Sequence, residues 1–123
     1  MKSISISIFF YKITNAGGAE RMVCLLANEM SRRGFLVYLV TLDEDSSTSF
    51  YPLDPSVNWL KIGFNHGFLD KFRRVISLYR IIKKFKISIF LGFVISGDKT
   101  CFIASRLANI RLLVAERNAP DMY

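Results

Sequence analysis

The stretch that decides the fold is "NAGGAERMVCLLANEMSRRGFLVYLVTL", residues 15–42. Apolar residues recur at helical spacing over residues 19–33, and Gly34 is placed to end that helix, because glycine readily adopts the left-handed conformation found after helices. Residues 35–42 form a continuous apolar run, which is typical of a parallel strand covered on both faces. Four apolar side chains share one face of the helix: Val23, Leu26, Ala27 and Met30.

The same alternation continues along the chain. Residues 4–13 alternate apolar residues with serine, which predicts a strand and not a signal peptide. Residues 43–56 are acidic, rich in serine and contain two prolines, which predicts a loop. Further strands are predicted over 57–62, 87–95 and 110–116, and further helices over 69–86 and 99–109. The pattern predicts an α/β Rossmann-like fold, a mainly parallel sheet flanked by helices, in a single domain over residues 1–123.

Three unusual stretches follow predicted strands: residues 15–21, 96–100 and 116–120. In parallel sheets, ligands bind beyond the carboxyl ends of the strands, where these loops gather. The sequence therefore places any ligand site at that edge of the sheet.

The first of these loops contains Gly17 and Gly18. A glycine pair lets a backbone approach a phosphate, and the free amides of the following helix attract anions. Glu20 is placed to complement the first helical turn. The loop lacks the third glycine of a dinucleotide fingerprint and the lysine of a P-loop, so a plain turn remains an alternative. Asp43, after the next strand, has the position of a ribose-binding acid.

The last loop places Glu116, Arg117 and Asn118 after an apolar strand. These side chains can hold sugar hydroxyls or a phosphate. The alternative is a surface ion pair followed by a turn that Pro120 helps to fix. His66, between nearby glycines, is interpreted as a loop residue and not as a catalytic base.

The net charge of +7 is uneven, because residues 62–123 carry eleven Lys or Arg and only four Asp or Glu. The helix over 69–86 is amphipathic, with an apolar stripe of Leu69, Phe72, Val75, Ile76, Tyr79 and Ile82. Seven cations fill the rest of its surface: Lys71, Arg73, Arg74, Arg80, Lys83, Lys84 and Lys86. They predict contact with an anionic membrane surface, with an ordinary solvated face as the alternative. Nucleic acid is not expected, because no reading motif accompanies the charge.

Cys24 and Cys101 are far apart and flanked by apolar residues, which predicts two reduced, buried thiols and no metal site. The longest apolar run, residues 87–97, is shorter than the ~20 residues that span a bilayer. We therefore expect a cytoplasmic protein that does not cross the membrane.

Three segments together, "GGAERMVCLLANEMSRRGFLVYLVTLDE", "SFYPLDPSV" and "LLVAERNAP", resemble the N-terminal, acceptor-side domain of retaining GT-B glycosyltransferases of family 4. The helix start GGAER is the strongest of these motifs. Family members commonly end the last strand in SERN followed by Asp-Pro, where this chain has AERN followed by Ala-Pro.

The resemblance implies transfer of a sugar from a nucleotide-sugar to a glycan, often lipid-linked, in surface polysaccharide biosynthesis. Gly17, Gly18 and Glu20 would approach the donor diphosphate or the reacting sugar, and Glu116, Arg117 and Asn118 would line the acceptor cleft. No residue of this chain is expected to be catalytic, and no metal or cofactor is expected besides the nucleotide-sugar substrate.

The resemblance also implies an incomplete enzyme. The nucleotide-sugar domain of the family lies beyond residue 123, so we expect the chain to be inactive alone and to self-associate through an open sheet edge. Two alternatives remain: a non-catalytic module that binds a membrane surface or a partner, and a nucleotide- or phosphate-binding α/β domain of another lineage.

Overall fold

The computed structural model describes residues 4–14, 16–63, 67, 69–95 and 99–117, with the backbone alone at residues 94–95 and 115–117. Eight elements follow in the predicted order: β1 (Ser5–Phe9), α1 (Gly18–Arg32), β2 (Leu36–Thr41), β3 (Asn58–Lys61), α2 (Asp70–Lys84), β4 (Ile89–Ile95), α3 (Thr100–Ala108) and β5 (Arg111–Arg117). β1 is shorter than predicted, because residues 10–13 leave the regular strand and begin the loop that leads to α1.

The five strands form one sheet in the order β3-β2-β1-β4-β5, and every neighbouring pair is parallel. Ile8 in the central strand lies between Leu39 of β2 and Leu91 of β4. This arrangement confirms the predicted α/β Rossmann-like fold. Chain order runs outward from β1 to β3, and the connection through α2 then returns to place β4 on the other side of β1. The order therefore reverses between β1 and β4.

Each face of the sheet has its own core. α1 buries Val23, Cys24 and Ala27 against one face, together with Ile8 of β1. On the opposite face, a second cluster combines side chains of α2 and α3 with strand residues: Leu78, Ile82, Ala104, Phe9 and Phe90. Because β1 is covered on both faces, the serines of its alternating pattern are buried as well as its apolar residues.

α2 is rotated relative to its prediction. Its buried residues are Asp70, Arg74, Leu78 and Ile82. Three members of the predicted apolar stripe are exposed instead: Leu69 by 62%, Phe72 by 67% and Ile76 by 38%. The prediction was wrong for these residues, because an ion pair occupies the inward side of the first helical turns.

β3 lies at one edge of the sheet and β5 lies at the other. Among the described strands nothing pairs with the outer side of β5, and its Leu113 and Val114 are each 49% exposed. This is the edge at which the sequence predicts self-association.

Candidate functional site

The candidate site lies at the carboxyl edge of the sheet, the edge formed by the carboxyl ends of the parallel strands. Each of the three helices begins there, because each follows a strand that ends there. Strand order reverses between β1 and β4, and open α/β sheets bind ligands beside such a reversal. The loop from β1 to α1, which contains the glycine pair, follows β1 and therefore begins at this reversal.

Gly17 and Gly18 are not required by the backbone conformation of the turn. Gly17 is the N-cap of α1 with φ −84° and ψ 166°, which any residue adopts. The glycines with positive φ are Gly34, Gly63 and Gly67. A Cβ added at Gly18 would meet no atom within 4 Å. The missing side chain at Gly18 therefore leaves open space at the start of α1.

Glu20 lies in the first turn of α1, and its carboxylate approaches Gly17 closely enough that a Cβ there would contact it. A negative charge in this turn complements the positive end of the helix dipole. No N-cap side chain occupies the first amides of α1. The helix start thus combines free amide donors with one carboxylate.

Asp43 fixes the loop that precedes the glycine pair. The Ile13 amide donates to Asp43 Oδ2 over 3.1 Å, and the Leu42 amide donates to the Tyr11 carbonyl over 2.8 Å. Asp43 is only 2% exposed. The structure thus gives Asp43 a structural role, because its buried carboxylate holds the backbone of its own chain. The sequence shows an acid after the strand, but no sequence pattern identifies the Ile13 amide as its partner.

A second buried acid, Asp70, fixes the loop after β3. Arg74 Nη2 donates to Asp70 Oδ2 and Arg73 Nη2 donates to Asp70 Oδ1, both over 2.9 Å. Arg73 also donates to the carbonyls of Ile62 and Gly63, each over 3.0 Å. These contacts tie the first turn of α2 to the end of β3.

These contacts correct the predicted membrane-surface set. Arg74 is only 4% exposed and Arg73 is bound to backbone carbonyls, so neither belongs to a free cationic face. The prediction failed for these two residues because helical spacing does not show which charged side chains form ion pairs in the protein interior. The five other predicted cations are exposed: Lys71, Arg80, Lys83, Lys84 and Lys86.

Both cysteines are buried and neither forms a disulfide, as predicted. Burial raises the pKa of the Cys24 thiol above its ordinary value, and the negative charges of Glu20 and Asp43 raise it further. Cys24 is therefore a protonated thiol at neutral pH and not a nucleophile. Within the described residues, no three His, Cys, Asp or Glu side chains come together as metal ligands.

The predicted acceptor residues are only partly covered by the structure. Glu116 and Arg117 are the last residues of β5, opposite Val94 and Ile95, so their backbone reaches the carboxyl edge. Their side chains are not described. Asn118, His66 and residues 96–98 lie outside the described residues. Their grouping at the cleft stays a prediction.

In the part of the chain that the structure describes, no helix has both the length and the apolar character needed to cross a bilayer.

Comparison with known proteins gives fold relatives but no sequence relatives. No protein family model and no curated protein matches the chain. A glycosyltransferase from Rickettsia africae ESF-5 superposes with a TM-score of 0.74 at 16% identity, over 93% of this chain and 30% of that one. The lipopolysaccharide outer core galactosyltransferase WaaB, in its apo form, gives 0.66 at 11% identity, over 94% and 33% of the two chains.

A third solved structure, MurG from Acinetobacter baumannii, superposes with a TM-score of 0.62 at 15% identity, over 94% of this chain and 35% of that one. The chain therefore spans about a third of the length of each of these structures. At such identities the likeness shows the fold, an α/β Rossmann-like domain that matches glycosyltransferases of the GT-B type.

Proposed function

We propose that this chain forms the acceptor-side half of a retaining GT-B glycosyltransferase of family 4. Such an enzyme transfers a sugar from a nucleotide-sugar to a glycan acceptor, often lipid-linked. The observation that carries the proposal is the open space at Gly18, at the start of α1 and beside the reversal of strand order. The fold likeness to three solved glycosyltransferases supports it.

The chemistry of the loop suits a donor diphosphate and its sugar. The first amides of α1 can donate to phosphate oxygens that occupy the space at Gly18. Glu20 is better suited to a sugar hydroxyl, because its carboxylate would repel a phosphate in direct contact. Asp43 acts indirectly, since it holds the loop through the Ile13 amide. Glu116, Arg117 and Asn118 would complete the acceptor side.

We expect no sugar transfer by this chain alone. In a GT-B enzyme the departing diphosphate is stabilised by preorganised groups of two domains that face each other across the cleft. Transfer of labelled sugar to any acceptor by the purified chain, with no second polypeptide present, would contradict this.

The proposal is tested by amide NMR of the ¹⁵N-labelled chain during titration with pyrophosphate and, separately, with UDP- and GDP-sugars. We expect weak binding, with shifts of the amides of Gly17, Gly18 and Ala19 that are similar for pyrophosphate and for the nucleotide-sugars. Tight nucleotide binding with shifts elsewhere would instead indicate a nucleotide-binding domain of another lineage. No shift at these amides would contradict the proposal.

A second role, contact with an anionic membrane surface, is favoured by the exposed cations of α2. The sequence contains no Asp or Glu over residues 71–97, and each Lys or Arg near an anionic membrane contributes about 1 kcal/mol. Sedimentation with phosphatidylglycerol vesicles tests this role. The double variant Lys83→Gln/Lys84→Gln should bind less, whereas the control Arg32→Gln/Arg33→Gln on α1 should bind as the parent does. Equal binding by all three proteins would exclude the role.

Self-association through β5 remains a proposal, supported by the exposed Leu113 and Val114 at the edge of the sheet. Analytical ultracentrifugation should show dimers or larger species that Val114→Lys reduces. A strictly monomeric parent chain would contradict it.

The cytoplasmic location and the absence of nucleic-acid binding stay predictions of the sequence.

A further inference from the structure

A groove between α2 and α3 forms on the face of the sheet opposite α1. Phe72, Val75 and Ile76 of α2 and Ile103 and Leu107 of α3 line a cavity of about 510 Å³. A second cavity of about 250 Å³, bordered by Tyr79 and Arg80, shares Val75, Ile76 and Leu107 with the first. The two cavities together are named here the α2–α3 groove. It follows the length of both helices.

The groove exposes large apolar side chains that the protein core does not use. Phe72 is 67% exposed, Leu107 is 62% exposed and Ile103 is 44% exposed. Contiguous apolar surface of this kind marks a binding site, because leaving it in water costs free energy. The groove runs along both helices, which suits an extended hydrocarbon chain.

One end of the groove has two cations, and Arg80 borders the other end. Lys71 is the second residue of α2 and Lys99 is the N-cap of α3, and both line the larger cavity. Because α2 and α3 begin at the carboxyl edge, this end opens beside the candidate cleft. Among the described residues no carboxylate lines either cavity, and Asp98 is the only Asp or Glu in the sequence over residues 71–115.

We propose that the α2–α3 groove binds one anionic amphiphile, with its hydrocarbon chain along the groove and its phosphate between Lys71 and Lys99. Two cations lie at one end of the groove, and apolar side chains line it between that end and Arg80, so the groove suits a lipid phosphate better than a neutral ligand. The inference rests on the proposed function in one respect: the amphiphile is then the lipid part of the acceptor, and the groove directs its phosphate end to the cleft.

The direct test is calorimetric titration of the chain with octyl, decyl and dodecyl phosphate, each below its critical micelle concentration. Every added methylene should tighten binding by up to about fourfold, the factor expected for a buried CH₂. Dodecyl maltoside, which is uncharged, should bind more weakly than dodecyl phosphate. Affinity that does not depend on chain length, or binding only to vesicles and never to the monomeric amphiphile, would overturn the proposal.

Matched variants locate the site. Leu107→Ser should weaken dodecyl phosphate binding at least tenfold, whereas Leu25→Ser, at a similarly exposed leucine of α1, should leave it unchanged. The double variant Lys71→Gln/Lys99→Gln should also weaken dodecyl phosphate binding at least tenfold. The control double variant Lys83→Gln/Lys84→Gln should leave that binding unchanged. All four variants change exposed side chains only, so circular dichroism should show folded proteins. Equal losses in test and control variants would contradict the assignment.

Failure of this inference and failure of the proposed function give different results. Amphiphile binding without pyrophosphate shifts at Gly17 and Gly18 would support the lipid-binding groove and contradict the proposed glycosyltransferase function. Pyrophosphate shifts without amphiphile binding would support the phosphate site at the glycine pair and contradict the proposed ligand of the groove. Dimers that persist in Val114→Lys, that Leu107→Ser breaks and that the amphiphile does not dissociate would indicate a second copy of the chain as the occupant and would overturn the inference.

Discussion

α1 and α2 have the same length and each has an ion pair, but the pair at α1 is exposed and the pair at α2 is buried. Both have fifteen residues, and both contain an ion pair between residues four apart with a nitrogen–oxygen distance of 2.9 Å. The Glu29–Arg33 pair of α1 is on the surface, whereas the Asp70–Arg74 pair of α2 is in the interior. α1 therefore buries its predicted apolar face, whereas α2 buries only part of its own.

The difference has a consequence for the surface of the protein. Because Asp70 and Arg74 occupy the inward side of α2, apolar residues such as Phe72 and Ile76 face outward beside α3. The α2–α3 groove thus results from the buried ion pair. Apolar periodicity locates a helix, but charges that pair in the interior decide which of its sides is inside.

The largest expected effect comes from removing the acid of the buried pair. Asp70→Ala leaves the Arg74 guanidinium buried without this counter-charge, which should lower the free energy of unfolding by about 3–5 kcal/mol. Urea denaturation followed by circular dichroism measures it. Glu29→Ala breaks the equivalent exposed pair of α1, and its unfolding midpoint should match that of the parent. Equal effects would show that the two helices do not differ as described.

A smaller effect is expected at the buried acid on the α1 side. Asp43→Ala removes the acceptor of the Ile13 amide, and an unsatisfied buried donor costs about 1–3 kcal/mol. Asp43→Asn retains an acceptor oxygen and should lose less. Hydrogen exchange at the Ile13 amide gives a local measurement, because exchange should accelerate in Asp43→Ala. Unchanged protection there would show that Asp43 does not hold the loop.

The two ends of α1 should respond in opposite directions to the same substitution. Gly18→Ala places a methyl group in open space within a helix and should raise the free energy of unfolding by up to about 1 kcal/mol. Gly34 has φ +98°, so Gly34→Ala should lower that free energy by about 1–2 kcal/mol. Urea unfolding of both variants checks the signs. Destabilisation by Gly18→Ala would show that the turn itself requires that glycine.

The smallest effect concerns pH and Cys24 beneath α1. Its thiol pKa is raised in the folded chain above the ordinary value of 9.0, so the unfolded chain loses this proton first as pH rises. The folded state then binds more protons, and stability should fall as pH increases above about 9. Urea midpoints from pH 7 to 10 measure the slope. Cys24→Ala should flatten it, and an unchanged slope would show that other groups cause the loss.

The sequence predicted the elements and the sheet because their signals are local. Continuous apolar runs such as residues 35–42 identify buried parallel strands, and Gly34 marks the end of α1. The internal contacts of Asp43 and Asp70 were not predictable, because their partners are fixed only when the sheet brings separate loops together. Ile13 and Asp43 are thirty residues apart along the chain. Gly17 and Gly18 were recognised as candidates, but only the structure shows that the turn does not need them.

The most direct test of the account compares pyrophosphate affinity in the parent chain and in Gly18→Val. The proposed function places the diphosphate of a nucleotide-sugar in the space at Gly18. It predicts that Gly18→Val remains folded and loses pyrophosphate binding, whereas Leu25→Ser, at the exposed face of the same helix, retains it. Undiminished pyrophosphate affinity in a folded Gly18→Val variant would contradict the account.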